Sequence, residues 1–215
     1  MSAAQEAIAK LAETCEQHEL AWESSWSAPL QRLLELVADG QARVNLVGDP
    51  SPAGVSEHVL EALVLVTATL RQLGQAPARL VDVGAGAGIA AMTLGICFPD
   101  CQVVAVEPRK LRAQFVAEAA NSLQLKHLRT VPTTLFSAFL AAEFDLATAR
   151  AVWPPAEWLP KGWPLLSAQG VAAVNGKGPP EALSALLQPL GRVVQALSVP
   201  GPREHAVALL RPLKG

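Results

Sequence analysis

The sequence predicts an α/β fold: a mostly parallel sheet wound by crossover helices, closed by an antiparallel pair and preceded by a small helical cap. Three observations support this. From Leu80 onward, apolar runs at Leu80–Val83, Gln102–Val106, Leu128–Val131, Phe144–Ala149 and Gly170–Val174 alternate with helical patterns. Such alternation implies a parallel sheet with crossover connections. The first run opens directly onto Gly84, Gly86 and Gly88, as expected of a buried strand that turns tightly into a helix. Residues 1–76 read as helices, so they are expected to form the cap, with the sheet domain spanning residues 77–215.

Within the cap, Ile8, Leu11, Ala12 and Cys15 lie at helical spacing in residues 3–20, and Trp22 and Trp26 follow as hydrophobic anchors. A second helix is expected to be capped by Ser27, to carry Pro29 in its first turn and to present Leu30, Leu33, Leu34 and Val37 on one face. Asp39-Gly40 is expected to end it. After the turn around Val44–Leu46 and a proline loop, a third helix over Ser56–Leu73 keeps Val59, Leu63, Val66 and Leu70 on a stripe and stops at Gly74. In the sheet domain, helices are expected at Ile89–Ile96, Arg109–Leu123, Phe136–Ala142, Pro155–Leu166 and Glu181–Leu187. Arg192–Leu197 and His205–Leu210 form the closing pair. No internal repeat or linker interrupts the pattern.

At 215 residues the chain fits one full core. Hydrophobic residues make up 51%, which excludes a disordered tail. The net charge is −2 with no basic block, so any nucleic acid must be met through a local patch and not by bulk charge. Cys15, Cys97 and Cys101 make an odd count with no paired motif, and free thiols are expected in place of a metal site. Glu6 and Lys10 stand where a signal core would be apolar, and no run is expected to approach a membrane span. These features read as a soluble cytoplasmic monomer.

The glycine turn reads as a nucleotide-type cofactor site. From Gly86 the pattern G-x-G-x-x-A reaches Ala91, which is compatible with a dinucleotide. Asp82 opposes that reading, because a carboxylate at the loop mouth repels a pyrophosphate. It suits an ammonium group such as the methionine end of S-adenosylmethionine. Glu107 ends the second strand roughly 20 residues past the loop, where an acid can hydrogen-bond a ribose diol. Asp82, Gly84, Gly86, Gly88 and Glu107 thus form a candidate cofactor set resembling the first two motifs of Rossmann-like methyltransferases, with S-adenosylmethionine ahead of NAD.

Seven pieces of the chain extend this likeness over nearly its whole length. They are V-N-L at 44–46, H-V-L-E-A-L at 58–63, D-V-G-A-G-A-G at 82–88, V-E-P at 106–108, F-D-L-A-T-A-R-A at 144–151, G-K-G at 176–178 and R-E-H-A-V at 203–207. In order and spacing they resemble the RsmG (GidB) family, which methylates N7 of a guanine in 16S ribosomal RNA. The resemblance implies a class I methyltransferase sheet, S-adenosylmethionine as cofactor, and 16S rRNA or the small ribosomal subunit as partner. The chain departs from the family at Glu61-Ala62, where Asp-Ser is usual, and at Ala90-Ala91, where Pro-Gly is usual. It departs again at Thr134, Phe136 and Ser137, where an arginine and paired glutamates on the adenine side are usual.

Arg150 matches the arginine of the family's S-R-A motif at the carboxyl end of the fourth strand, where sheets of this class bind ligands. It is the leading candidate for catalysis and also for cofactor contact. Lys177, at the end of the fifth strand, and His58, on the third helix, are the other catalytic candidates. Arg109, Lys110 and Arg112 form the one dense basic cluster, and with Lys177 and Arg203 they are the RNA-binding candidates; His205 accompanies Arg203. Each has a plainer alternative as a packed, paired or solvated side chain. Trp153, Trp158 and Trp163 are expected to pack, with Trp153 close enough to the rim to stack on a base. Two other functions remain open. One is a diverged module that binds a cofactor or a protein; the other is a small-molecule methyltransferase, which needs an enclosed apolar pocket.

Overall fold

The structure, a computed structural model, describes residues 1–134, 143–150, 152–201 and 204–213. Helices α1 (Ala3–Gln17), α2 (Ser27–Gln41) and α3 (Pro52–Leu73) come first. The strands are β1 (Arg79–Val83), β2 (Gln102–Val106), β3 (Leu128–Val131), β4 (Phe144–Ala149), β5 (Leu166–Lys177), β6 (Arg192–Val199) and β7 (His205–Arg211). Between them run α4 (Ile89–Cys97), α5 (Lys110–Ser122), α6 (Pro155–Gly162) and α7 (Pro180–Leu187). The strands make one sheet of order β3-β2-β1-β4-β5-β7-β6. The first five are parallel, and β7 enters antiparallel between β5 and β6. The strand order reverses between β1 and β4, so their carboxyl ends open a crevice of the kind that holds ligands in such sheets.

Helices cover both faces. On one face α3 and α4 pack with α1 and α2, so that Ile8, Leu63, Met92, Leu80 and Leu209 share one continuous core. On the other, Trp158 and Leu159 of α6 and Leu183 and Leu187 of α7 cover Val81, Val83 and Ala172. Trp158 is fully enclosed and donates its ring N–H to the Ala173 carbonyl at 3.0 Å, which satisfies the one polar atom its burial would otherwise orphan. Asp145 of the F-D-L-A-T-A-R-A stretch has a structural role. Its carboxylate accepts from the N–H groups of Ala78 and Arg79 and from the Ser167 hydroxyl, tying together the starts of β1, β4 and β5.

Several local expectations change. Helix α2 has no side-chain cap: Ser27 is its first residue, after a 3-10 turn at Ser24–Trp26. Gly40 does not end α2, which runs on to Gln41. Gly40 is buried there, and a Cβ on it would run into the Phe115 ring of α5. The glycine therefore serves the approach of two helices. Helix α3 starts at Pro52, capped by Ser51, whose hydroxyl accepts from the Gly54 N–H at 3.1 Å, and it ends at left-handed Gly74 as expected. By length and composition α3 could also cross a membrane, contrary to the expected absence of such a run. Its apolar side chains are instead buried between the sheet and the other helices, which is why the helix is apolar nearly all round. Strand β5 is longer than expected and bulges against β4 between Leu166 and Val171. The bulge places Gly170 against the Phe144 carbonyl, where a side chain has no room. His127 is half-buried against the Gly95 carbonyl of α4. The helix expected over Phe136–Ala142 lies outside the described residues.

Gly40→Ala should lower stability by about 1–3 kcal/mol, because Phe115 has to leave its packed position. Urea unfolding should show the midpoint falling at unchanged slope. A variant as stable as the parent would mean that the α2–α5 contact yields without cost.

Candidate active site at the carboxyl edge of the sheet

The cleft beyond β1 and β4 has a volume of about 1430 Å³. Its floor is the glycine turn. Gly84, Gly86 and Gly88 all take left-handed backbone conformations, with φ between +61° and +72°. Each has a different reason to lack a side chain. At Gly84 a Cβ would strike Val152, which follows β4 and closes that wall. At Gly88 it would meet Val116 of α5 at 2.7 Å, so this glycine seats the turn against a helix. At Gly86 the nearest atoms lie 3.9 Å away, and the missing side chain leaves open space in the cleft itself. The turn is tied down from β2: Val106 O accepts from the N–H groups of Gly84 and Ala85, and the Glu107 carboxylate accepts from Gly86 N–H at 2.8 Å.

Three acids in the cleft have three different environments. Asp82, on β1, is 1% exposed, and its Oδ2 has no hydrogen-bond partner. Burial pushes its carboxyl up to about 6; Arg150 and the Ala91 N–H act against that rise, and Glu107 adds to it. Glu107 is fully buried and would also rise on burial. The Arg109 side chain and the backbone N–H groups of Arg109 and Gly86 more than offset this, and its carboxyl lies below the ordinary range. Glu61 of α3 is one-fifth exposed. Burial would raise it, but His58, Arg150 and His205 together hold it down at about 2.

Glu61 was not among the expected site residues, and it organises the mouth. It accepts from Arg150 Nη1 and from His205 Nε2, both at 3.0 Å, and His58 Nδ1 stands 4.0 Å away. Arg150, just past the end of β4, is therefore fixed from α3, and His205, at the start of β7, is held by the same carboxylate. One signal could have found this residue: Glu61 follows His58 by three positions and so shares its helix face. Lys177 is exposed at the end of β5, lines the cleft and is paired in register with His205.

The basic cluster does not present one surface. Arg109 turns back onto Glu107. Arg112 lines the cleft and donates to the Asn45 carbonyl of the V-N-L turn. Lys110 is exposed at the start of α5 and does not line the cleft. Gln41 shapes the V-N-L turn by accepting from the N–H groups of Leu46 and Val47 while donating to the Val47 carbonyl, and so brings Leu46 and Val47 to the cleft wall. Trp153 also lines the cleft, stacked on Trp158 with Lys161 5.7 Å from its ring. Thr134 is part of the lining, whereas Phe136, Ser137 and the RNA-binding candidate Arg203 lie outside the described residues. All three cysteines are buried and free, and no group of metal-ligating side chains is found among the described residues.

The family model for rRNA small subunit methyltransferase G matches residues 27–185. The chain belongs to that family. The ribosomal RNA small subunit methyltransferase G of Paracidovorax citrulli is 30% identical over 208 residues, covering 87% of this chain and 84% of its own. The protein of the same name from Xanthomonas oryzae pv. oryzae is 32% identical, with 83% of each chain covered. Among solved structures, a Burkholderia thailandensis 1,6-didemethyltoxoflavin-N1-methyltransferase has a TM-score of 0.58 at 19% identity over 91% of this chain and 92% of that one. The mitomycin 7-O-methyltransferase has a TM-score of 0.60 at 15% identity over 97% of this chain and 67% of that one. These two likenesses show the fold: a mostly parallel α/β sheet of the Rossmann-like kind. The family resemblance drawn from the separate sequence motifs holds.

Asp82→Asn should make the protein without ligand more stable at pH 7–8, by on the order of 2 kcal/mol. The folded-state carboxyl is raised from an ordinary 3.8 to about 6. Its contribution is therefore fully present below about pH 4 and is lost as pH rises through about 6. Chemical unfolding of both proteins across this range should show curves that meet near pH 4 and separate above it. Parallel curves would mean that Asp82 is not desolvated in the native state.

Proposed function

We propose that this member of the rRNA small subunit methyltransferase G family transfers a methyl group from S-adenosylmethionine to N7 of a guanine in 16S ribosomal RNA. The observation that carries the cofactor reading is Asp82: a fully buried carboxylate oxygen, without a partner, at the edge of a cleft whose floor is left open at Gly86. Such an oxygen calls for a cation, and the ammonium of the methionine end supplies one. The residues present therefore fit the cofactor, with Asp82 for the ammonium, Glu107 for the ribose hydroxyls, and the Gly84–Gly88 turn for close backbone approach. When bound, S-adenosylmethionine supplies an electrophilic methyl group on a sulfonium.

Guanine N7 carries no proton, so no general base is required and positioning accounts for most of the work. Arg150 sits at the edge of β4 within the electrostatic reach of Asp82 and is pinned by Glu61. From there its guanidinium can hold a phosphate or guanine O6 and leave N7 uncovered, unlike the bidentate guanine contact that covers N7. Lys177, at the end of β5, and His205, beside it in register, add positive or polar groups on the same rim. His58 adjusts Glu61 more directly than it addresses a substrate. A guanine in an RNA loop can be splayed out toward this rim at lower cost than one in a duplex. The reading places the protein in the cytoplasm, where ribosomal RNA is found, and we propose that it acts as a monomer. Lys110, outside the cleft lining, and Arg203 are proposed to take RNA phosphates.

The test is transfer of labelled methyl groups to 16S rRNA, free and within the small subunit. Arg150→Ala should lower the transfer rate roughly 10- to 100-fold, the loss expected of a positioning contact. Binding of S-adenosylhomocysteine should change little. No transfer by the parent protein would favour a diverged binding module, and full activity of Arg150→Ala would remove this residue from the mechanism.

Gly86→Val should abolish the rise in thermal midpoint that S-adenosylhomocysteine gives the parent protein, because the side chain fills the open floor of the cleft. NAD should give no shift with either protein. A shift with NAD alone would replace the cofactor reading.

A further inference from the structure

Glu107 is the acid that the reading above gives to the ribose, yet its carboxylate already accepts four hydrogen bonds. A carboxylate has about four lone-pair sites, so no site is left for a further donor. Two of the four donors are backbone N–H groups: Gly86 on Oε2 at 2.8 Å and Arg109 on Oε1 at 2.9 Å. The other two belong to one guanidinium. Arg109 Nε donates to Oε1 at 2.7 Å, and Nη2 donates to Oε2 at 3.0 Å. The two kinds of donor differ in how freely they move. The backbone pair is fixed by the glycine turn and by the chain entering α5. The guanidinium is on a side chain that is 58% exposed, while the carboxylate it grips has no exposure at all. It can rotate into water without displacing any element of the fold.

We infer that Arg109 is a placeholder for the ribose: the two hydroxyls of an adenosyl ligand replace its two side-chain donors on Glu107, one for one. The inference rests on the cofactor reading given above. The exchange keeps Glu107 fully hydrogen-bonded in both states, oriented each time by the same two backbone donors. It alters the charge at the rim. While Arg109 is paired, its charge is neutralised by Glu107. After the exchange the guanidinium turns outward beside exposed Lys110, where an RNA phosphate can take it. Cofactor and RNA thereby favour each other's binding, and the coupling is reciprocal. The arginine forms a bidentate pair that a lysine cannot reproduce, so the effect depends on the fork as well as on the charge.

Calorimetry with 5′-methylthioadenosine and its 2′,3′-dideoxy counterpart isolates the diol. Arg109→Ala should tighten the first ligand roughly two- to fivefold, the range expected from removing one competing, partly exposed ion pair. The second ligand should bind the parent and the variant equally. Arg109→Lys, a milder change at the same exposed position, should give a smaller gain. A hairpin fragment of 16S rRNA should bind the parent several-fold more tightly with saturating S-adenosylhomocysteine than without it, and Arg109→Ala should lose that difference. Unchanged or weaker diol-ligand binding by Arg109→Ala overturns the inference, as does an equal gain for the dideoxy ligand or an RNA affinity indifferent to S-adenosylhomocysteine. Failure of the parent and both variants to bind any adenosyl compound would instead remove the cofactor reading, and this inference with it.

Discussion

The hydrogen bond from the Gly86 N–H to the Glu107 carboxylate spans the ends of β1 and β2, and the form of the cleft depends on it. A turn with three residues at positive φ has little to hold it unless a neighbouring element supplies acceptors. Val106 O and Glu107 are those acceptors, and both belong to the last residues of β2 or the position just beyond. Parallel pairing of Val83 with Val106 brings them to the level of the turn. The floor of the cleft is thus a consequence of strand register: a slip of β2 by one residue would send the Glu107 side chain to the opposite face of the sheet and leave the turn without its anchor.

Around that floor the protein keeps three acids close together in different states. Asp82 is left short of partners, Glu107 is saturated by one arginine and two backbone donors, and Glu61 is held by an arginine and two histidines. Burial acts on all three in the same direction, and the partners decide the outcome. The under-satisfied acid is the one that costs the free protein stability, as expected of a group retained for a ligand. Glu61 at the mouth fixes Arg150 without needing the ligand.

Much of this was legible in the residues. A strand ending in Asp82, glycines at every second position and an acid at the end of the next strand leave few alternatives, because each residue type answers a local steric or charge requirement. The candidates at strand ends, Arg150 and Lys177, also reached the cleft, since the carboxyl edge of a parallel sheet gathers whatever follows each strand. What sequence could not convey is pairing between distant residues. Glu61 looked like a lost family motif and is the hub that joins α3 to β4 and β7. Arg109 and Arg112 looked like part of an RNA patch, yet each is spent on an acceptor: Arg109 on Glu107, two residues before it, and Arg112 on the Asn45 carbonyl, brought to it from the far side of the chain. Gly40 looked like a helix stop because a glycine after an aspartate often is one; its reason lies in Phe115, 75 positions along the chain.

The sequence by itself determined the alternation of strand and helix, the glycine turn, the acids at the ends of the first two strands and the order of the family's motifs. Those are local properties, written in periodicities of two and 3.6 and in which side chains a given backbone conformation tolerates. Tertiary structure alone decided which charges meet. Whether Arg112 faces water or the Asn45 carbonyl, whether Arg150 is mobile or pinned, and whether α3 suits a membrane or a core depend on neighbours far away in sequence. Burial makes those choices strong, because an ionised group taken from water must find its partner within a few ångströms or surrender its charge.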